Sequence, residues 1–269
     1  MSEYKKQISD REVQIIQLLE DLALFPCTLI KKIENNVLVE TCGNHISRMQ
    51  WDILKVNNDI IAPLRKFQSK KFSPGFYCHM NSLTKIDESD YRLYLLQEIK
   101  ENIGRAVDKG KKYDEKYIIY REVEKTIRWL IDKKVEINQF YLLHGDLYNG
   151  NILYYQGKYA MIDFEYVRFG PSQLEWAFLL FWDLIVESNT EKRENFMKKV
   201  RDDIITLKMH GVIDDMDIKM ILELYLPCIV CLSMNSCDMG LFEACEEISY
   251  GLRKFWNSEY KIFKEDNYA

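Results

Sequence analysis

The stretch that decides the fold is Leu143-His144-Gly145-Asp146-Leu147-Tyr148-Asn149-Gly150-Asn151-Ile152-Leu153, which continues past Tyr154–Tyr159 into Ala160-Met161-Ile162-Asp163-Phe164-Glu165. The region Tyr141 to Val167 reads as compact and β-rich, with short apolar strands and turn residues between them. The polar residues fall in the turns between them. Tyr155-Gln156-Gly157-Lys158 supplies the hairpin turn that returns Asp163 toward Asn151. One His, Asp or Asn in a loop usually caps a turn and does nothing more. Three oxygen-bearing side chains in fixed order, spaced by apolar strands, carry more information than any one of them.

Outward from this core, the chain after Pro171 reads as helical to its end, and Tyr91–Val107 and Lys116–Lys134 carry apolar residues at helical spacing. Toward the N-terminus, Ser9-Asp10-Arg11-Glu12 has the form of a capping box, opening a helix to about Leu24 that Pro26 ends. Thr28–Ile33 and Val37–Thr41 are β-leaning around Asn35-Asn36. His45–Met49 is a candidate third strand, and Trp51–Val56 one or two helical turns. Pro63 to Gly75 reads as a polar connection, and a boundary is expected near residues 67/68.

Composition narrows the class. The 269 residues are 47% apolar with a net charge of −5, which lacks the basic stripe of a nucleic-acid binder. The opening Met1–Asp10 is polar, and Trp176–Val186 and Leu224–Met234 are too short to span a bilayer. No membrane partner is expected, and the expectation is a soluble cytoplasmic protein. Seven cysteines at irregular spacing read as reduced thiols. Cys228-Ile-Val-Cys231, with Cys237 and Cys245 beyond, reads as core thiols rather than zinc ligands, since no histidine lies near.

His-Gly-Asp, an Asn five residues after the Asp, and Ile-Asp-Phe-Glu together resemble the catalytic core of the aminoglycoside phosphotransferase and choline kinase family, a branch of the protein-kinase-like fold. The resemblance implies an α+β, two-lobed protein-kinase-like fold: a reduced N-lobe over residues 1–67 and a C-lobe over 68–269, with catalytic loop 143–153 and metal-binding segment 161–165. It implies a phosphotransferase that uses Mg2+ and ATP or GTP and acts on a hydroxyl of a small molecule. Asp146 matches the catalytic base. Asn151 and Asp163 match the residues that hold magnesium and, through it, the nucleotide. His144 matches a loop-orienting residue, Gly145 a tight turn, and Glu165 a supporting acid. Glu175 falls where relatives carry an Asp that supports the loop; a cap on the helix starting near Ser172 explains it equally well.

The N-terminal part departs from that pattern. Gly43 is the single glycine in residues 1–67, so no glycine-rich phosphate loop is present there, and no lysine stands in the usual strand context. Lys31, Lys32, Arg48 and Lys55 are candidate phosphate-facing cations, and Arg48, at the end of the strand-like run, is the first choice. The missing clamp keeps a second reading open, a non-catalytic homologue with a structural role, of the spore-coat CotS kind, or a nucleotide sensor. A protein-substrate kinase ranks lower, because the chain enters a helix within about ten residues of Asp163 with no activation segment.

Overall fold

A computed structural model describes residues 3–21, 30–34, 37–41, 43–66, 76–79, 82–85, 141–187, 189–226 and 229. The helical segments expected at 91–107 and 116–134, the Asn35-Asn36 turn, Pro26 and the cysteines at 228, 231, 237 and 245 lie outside them. The chain forms two compact units. The first comprises residues 1–86 with 138–175, the second 87–137 with 176–269. The division therefore differs from a single cut at 67/68, because the segment carrying the expected catalytic loop groups with the N-terminal residues.

In the first unit, β1 (Glu3–Gln7), β2 (Ile30–Glu34) and β3 (Val37–Thr41) form an antiparallel sheet in the order β1-β3-β2. β1 has no counterpart in the sequence reading, because Glu3-Tyr4-Lys5-Lys6-Gln7 is too polar to show an apolar alternation. Its pairing partner β3, Val37-Leu38-Val39, supplies the apolar character instead. Helix α1 (Asp10–Asp21) follows at once. Ser9 Oγ accepts from Glu12 N–H at 3.2 Å, as the capping box requires. Glu12 does not reach back to complete the box; its carboxylate turns to Lys6, a charged donor that compensates its burial better than an amide would.

His45–Met49 is not a strand. Asn44 makes one bridge to Tyr154, with backbone hydrogen bonds of 2.9 and 2.8 Å, and Arg48–Gln50 forms a 3-10 turn capped by Ser47. Asp52 then caps α2 (Ile53–Val56), accepting from the N–H of Leu54 and Lys55. The helix runs on through a π turn, Asn57–Ile61, into α3 (Ala62–Arg65). Pro63 thus lies inside a helix rather than breaking it. It has no N–H to donate, and the widened π turn just before it is where the helical ladder already changes register. Val56, Ile60, Ile61 and Leu64 are buried from this helix, against the strands Lys158–Met161 and Tyr141–Leu143.

β4 (Phe76–His79) pairs with β5 (Ser82–Lys85) and lies against the strand Arg168–Gly170. β6 (Tyr141–Leu143) pairs with β9 (Arg168–Gly170), and β7 (Ile152–Tyr155) with β8 (Lys158–Met161). The turn joining β7 to β8 falls where expected. Gln156 and Gly157 both have positive φ, 48° and 81°, as a type I′ hairpin needs.

In the second unit, α4 (Ser172–Val186, whose first four residues belong to the first unit) is buried on nearly every side through Trp176, Phe178, Leu180, Phe181 and Leu184. α5 (Thr190–Met209) buries only Val200, Asp203, Ile204 and Leu207, one stripe of an otherwise polar helix. α6 (Asp215–Met220) opens with a complete capping box between Asp214 and Asp217. Among the described residues no helix is long and apolar enough to cross a membrane.

Candidate active site

The site is built by two loops that one residue ties together. His144 opens the first loop directly after β6, and Asn151 closes it at the start of β7. Ile162, at the end of β8, donates its N–H to Asn151 O at 3.1 Å, and its own carbonyl oxygen lies 2.9 Å from His144 Nε2. Both ends of the first loop are thus fixed to the residue preceding Asp163. Phe164, fully buried and 5.7 Å from the His144 ring centroid, anchors the other side. Between these anchors Asp163 adopts φ +66°, a left-handed conformation that costs a non-glycine residue and is typical of side chains aimed by their surroundings.

His144 is buried, and burial pulls its pKa down to about 4 against the opposing pull of its bond to Ile162 O. It is a neutral ring at physiological pH, bonded through one nitrogen to a carbonyl. A buried neutral ring held in this way ties the start of the loop to Ile162.

Gly145 has φ +82°, and a Cβ added there would stand 2.1 Å from Tyr166 O. The segment after Asp163 therefore closes on the loop through the space that a side chain would fill. Beneath this turn lies Glu175, whose two carboxylate oxygens accept from the backbone N–H of His144 (2.8 Å) and Gly145 (3.0 Å). Of the two readings of Glu175, the structure places its carboxylate on the loop rather than on the first turn of its own helix.

Burial raises the Glu175 pKa to about 7, more than those two N–H bonds lower it. The folded protein therefore binds this proton more tightly than the unfolded chain does. Its contribution to stability is fully present below the ordinary carboxylate pKa of 4.5 and is lost as pH rises through about 7. Glu175→Gln is expected to flatten this decline. Urea unfolding midpoints measured from pH 5 to 8 should fall more steeply in the parent than in the variant, and equal slopes would assign the decline elsewhere.

Asp146 projects from the middle of the loop. Asn151 Nδ2 donates to Asp146 Oδ2 at 3.1 Å and to Asp146 O at 2.8 Å. The amide nitrogen of Asn151 is thereby spent on Asp146, leaving its oxygen as the atom for a cation. Burial lifts the Asp146 pKa to about 7, with the Asn151 bond opposing and the nearby Asp163 charge adding to the rise. Glu165 is exposed, one residue beyond Phe164.

The cation at Asp163 is Lys6, which the sequence reading did not consider. Its Nζ lies 2.8 Å from Asp163 Oδ1 and 3.3 Å from Glu12 Oε1. Burial works against the ammonium, but Asp163 and then Glu12 outweigh it and the Lys6 pKa is raised. Burial likewise raises that of Glu12, against the pull of Lys6. The signal available in the sequence was the six-residue step from Lys6 to Glu12 across a strand-to-helix turn, which is visible only once β1 is recognised. Arg48 is 2% exposed, with its guanidinium carbon 4.8 Å from the Trp51 ring centroid. Lys55 is paired with Asp59 at 3.2 Å.

A choline kinase from Cryptosporidium parvum superposes with a TM-score of 0.54 at 14% identity, over 95% of this chain and 80% of that one. The aminoglycoside phosphotransferase APH(4)-Ia superposes at 0.53 and 12% identity, over 92% and 85%. This chain has the protein-kinase-like fold. Amicoumacin kinase hAmiN, in complex with AMP-PNP, Ca2+ and Ami, superposes at 0.51 and 14% identity, over 93% and 80%. No protein-family model and no curated protein sequence matches the chain. The kinase-like fold is thus carried by structure and by the short motifs of residues 143–165.

The oxygen donors of the site suit Mg2+. Asp163 and Asn151 offer one carboxylate and one amide oxygen, both hard ligands. Among the described residues no group of three or more His, Cys, Asp or Glu is gathered to cage a metal. Mg2+ is commonly bound through one or two carboxylates, with waters and substrate phosphates at its other positions.

Proposed function

We propose that the chain is a phosphotransferase that uses Mg2+ and ATP or GTP to phosphorylate a hydroxyl of a small molecule. The observation that carries this reading is the set of Asp146, Asn151 and Asp163 on two loops tied together through Ile162, with Asn151 bonded to Asp146 and Lys6 of β1 bonded to Asp163. The similarity of the fold to that of choline, aminoglycoside and amicoumacin kinases supports it.

Asp146 orients the acceptor hydroxyl and takes its proton as the oxygen attacks. A carboxylate whose pKa is near 7 is suited to that exchange. Asn151 fixes the Asp146 carboxylate and presents its own amide oxygen to the cation. Asp163 holds the cation, with Glu165 in support. Bound there, Mg2+ supplies charge neutralisation and alignment of the phosphates. The phosphate-facing cation is assigned to Lys6 in place of Arg48, with Glu12 holding its ammonium. His144 and Glu175 fix the loop from beneath.

The non-catalytic reading draws on one observation, the absence of a glycine-rich loop in residues 1–67. Each lost charge-assisted phosphate contact costs about 1.5–3 kcal/mol, so weak nucleotide affinity favours that reading. ADP release from Mg-ATP, assayed against amino alcohols, sugars and aminoglycosides, separates the two. Acceptor-dependent release is the expected result. Nucleotide binding with no acceptor from the panel and no turnover would favour the sensor or structural homologue.

A further inference from the structure

We propose that Arg168 is a positioning residue for the chemistry: a buried guanidinium that converges with the Glu175 carboxylate on Gly145 and so locks the loop carrying Asp146 to the segment that follows Asp163. The inference rests on the phosphotransferase reading of the site. It adds a residue that neither the metal contacts nor the phosphate contacts of that reading call for.

An arginine is seldom buried without a counter-charge, and Arg168 is 6% exposed. The backbone fixes its place. β9 pairs with β6 so that Arg168 stands opposite Leu143, the residue before His144. Its Nε donates to Tyr166 O at 3.4 Å and lies 3.1 Å from the point that a Cβ would occupy at Gly145. The missing side chain at 145 therefore admits the guanidinium as well as the Tyr166 carbonyl. The same glycine donates its N–H to Glu175 Oε2 at 3.0 Å, and His144 donates to Oε1 at 2.8 Å. A buried cation and a buried carboxylate thus meet the loop at one residue, immediately before Asp146.

The arrangement has an electrostatic reason. Glu175 is buried, and a charge so placed is costly unless it is both hydrogen-bonded and paired. Two N–H donors meet part of that cost, and Arg168 brings a full positive charge. Burial dominates the pKa of Glu175 and of Asp146, and Arg168 is among the groups that oppose it at each. Removing the guanidinium would leave the Glu175 charge buried without its counter-ion, a strongly unfavourable state. The carboxylate would then take up a proton or turn away, and the His144 and Gly145 amides would lose the anion that aims them. Asp146, next in the chain, would shift with them. Asn151 would stay, because its carbonyl is held separately by the Ile162 N–H. Arg168 therefore governs the chemical step more than nucleotide binding.

The test is a double-mutant cycle of Arg168→Met and Glu175→Gln in the full chain. It is read by urea unfolding at pH 8, above the Glu175 pKa of about 7, and by acceptor-dependent ADP release. Arg168→Met should lower kcat by about 10- to 100-fold, as misplacing a reacting group does, with KM for Mg-ATP changed by less than about twofold. Glu175→Gln should raise the unfolding midpoint of Arg168→Met by more than it changes that of the parent, because it removes the uncompensated charge. It should also bring kcat of the double variant to within about tenfold of Glu175→Gln alone. A loss that is only structural shows no such suppression. If Arg168→Met alone does not fold, folding of the double variant supports the lock. Failure of both, with Glu175→Gln folded, overturns it. Equal effects of Glu175→Gln in the two backgrounds, or unchanged kcat in Arg168→Met, overturn it and leave the phosphotransferase reading standing. A parent that releases no ADP with any acceptor overturns that reading and the positioning role with it.

Discussion

Asp146→Asn is expected to lower acceptor-dependent ADP formation by a factor of about 10^2 to 10^4, the usual contribution of a positioned general base. Mg-ATP affinity should be nearly unchanged. The substitution keeps the shape of the side chain and an oxygen to accept from Asn151 Nδ2, so the loop retains its internal bonds. What it removes is the capacity to take a proton from the acceptor. The parent adds a second signature. Burial raises the Asp146 pKa to about 7. The active, ionised form is therefore depleted as pH falls below that value, and turnover should rise with pH through about 7 before levelling off. Steady-state ADP release measured from pH 5.5 to 8.5 checks both points. Undiminished turnover in Asp146→Asn would remove Asp146 from the chemistry.

Gly145→Ala should have the largest effect on stability. The residue sits at φ +82°, where a left-handed conformation costs an L-residue about 1–2 kcal/mol. A Cβ would also meet Tyr166 O at 2.1 Å, a contact with backbone that no side-chain rotation relieves. Overpacking of this kind adds about 1–3 kcal/mol. Denaturant unfolding should therefore show a loss of about 2–5 kcal/mol, with loss of turnover as the loop shifts from the backbone-binding carboxylate of Glu175. A variant as stable as the parent would mean that the 166–168 segment does not close on Gly145.

Much of this site could be read in the sequence because its positions are set locally. Asp146 and Asn151 are fixed by a loop of four intervening residues, and Asp163 by a hairpin whose turn, Gln156-Gly157, is visible as such. The alternation of apolar strands and polar turns around them left little freedom. Glu175 was legible as a position but not as a role. Its bidentate hold on the His144 and Gly145 amides depends on where α4 begins relative to β6, and only the fold sets that.

Lys6 was illegible for a different reason. β1 is a polar edge strand that gains its apolar partner from β3, so nothing in Glu3–Gln7 announces a strand. Without the strand, Lys6 is one surface charge among thirty-seven lysines and arginines. Among the later strand-like residues, Arg48 is then the one at the expected position of a phosphate-facing cation. That residue lies in a 3-10 turn instead, because Ser47 caps the turn and the guanidinium packs over Trp51.

Calorimetric titration of Mg-ATP into the full chain, and into Asp163→Ala and Asn151→Ala, decides whether the two loops and Lys6 form a magnesium–nucleotide site. Binding to the parent is expected, with loss in both variants and a larger loss for Asp163→Ala than for Asn151→Ala, because an anionic oxygen holds a divalent ion more strongly than a neutral amide oxygen. Failure of the parent to bind at millimolar nucleotide, or binding indifferent to both substitutions, would contradict it.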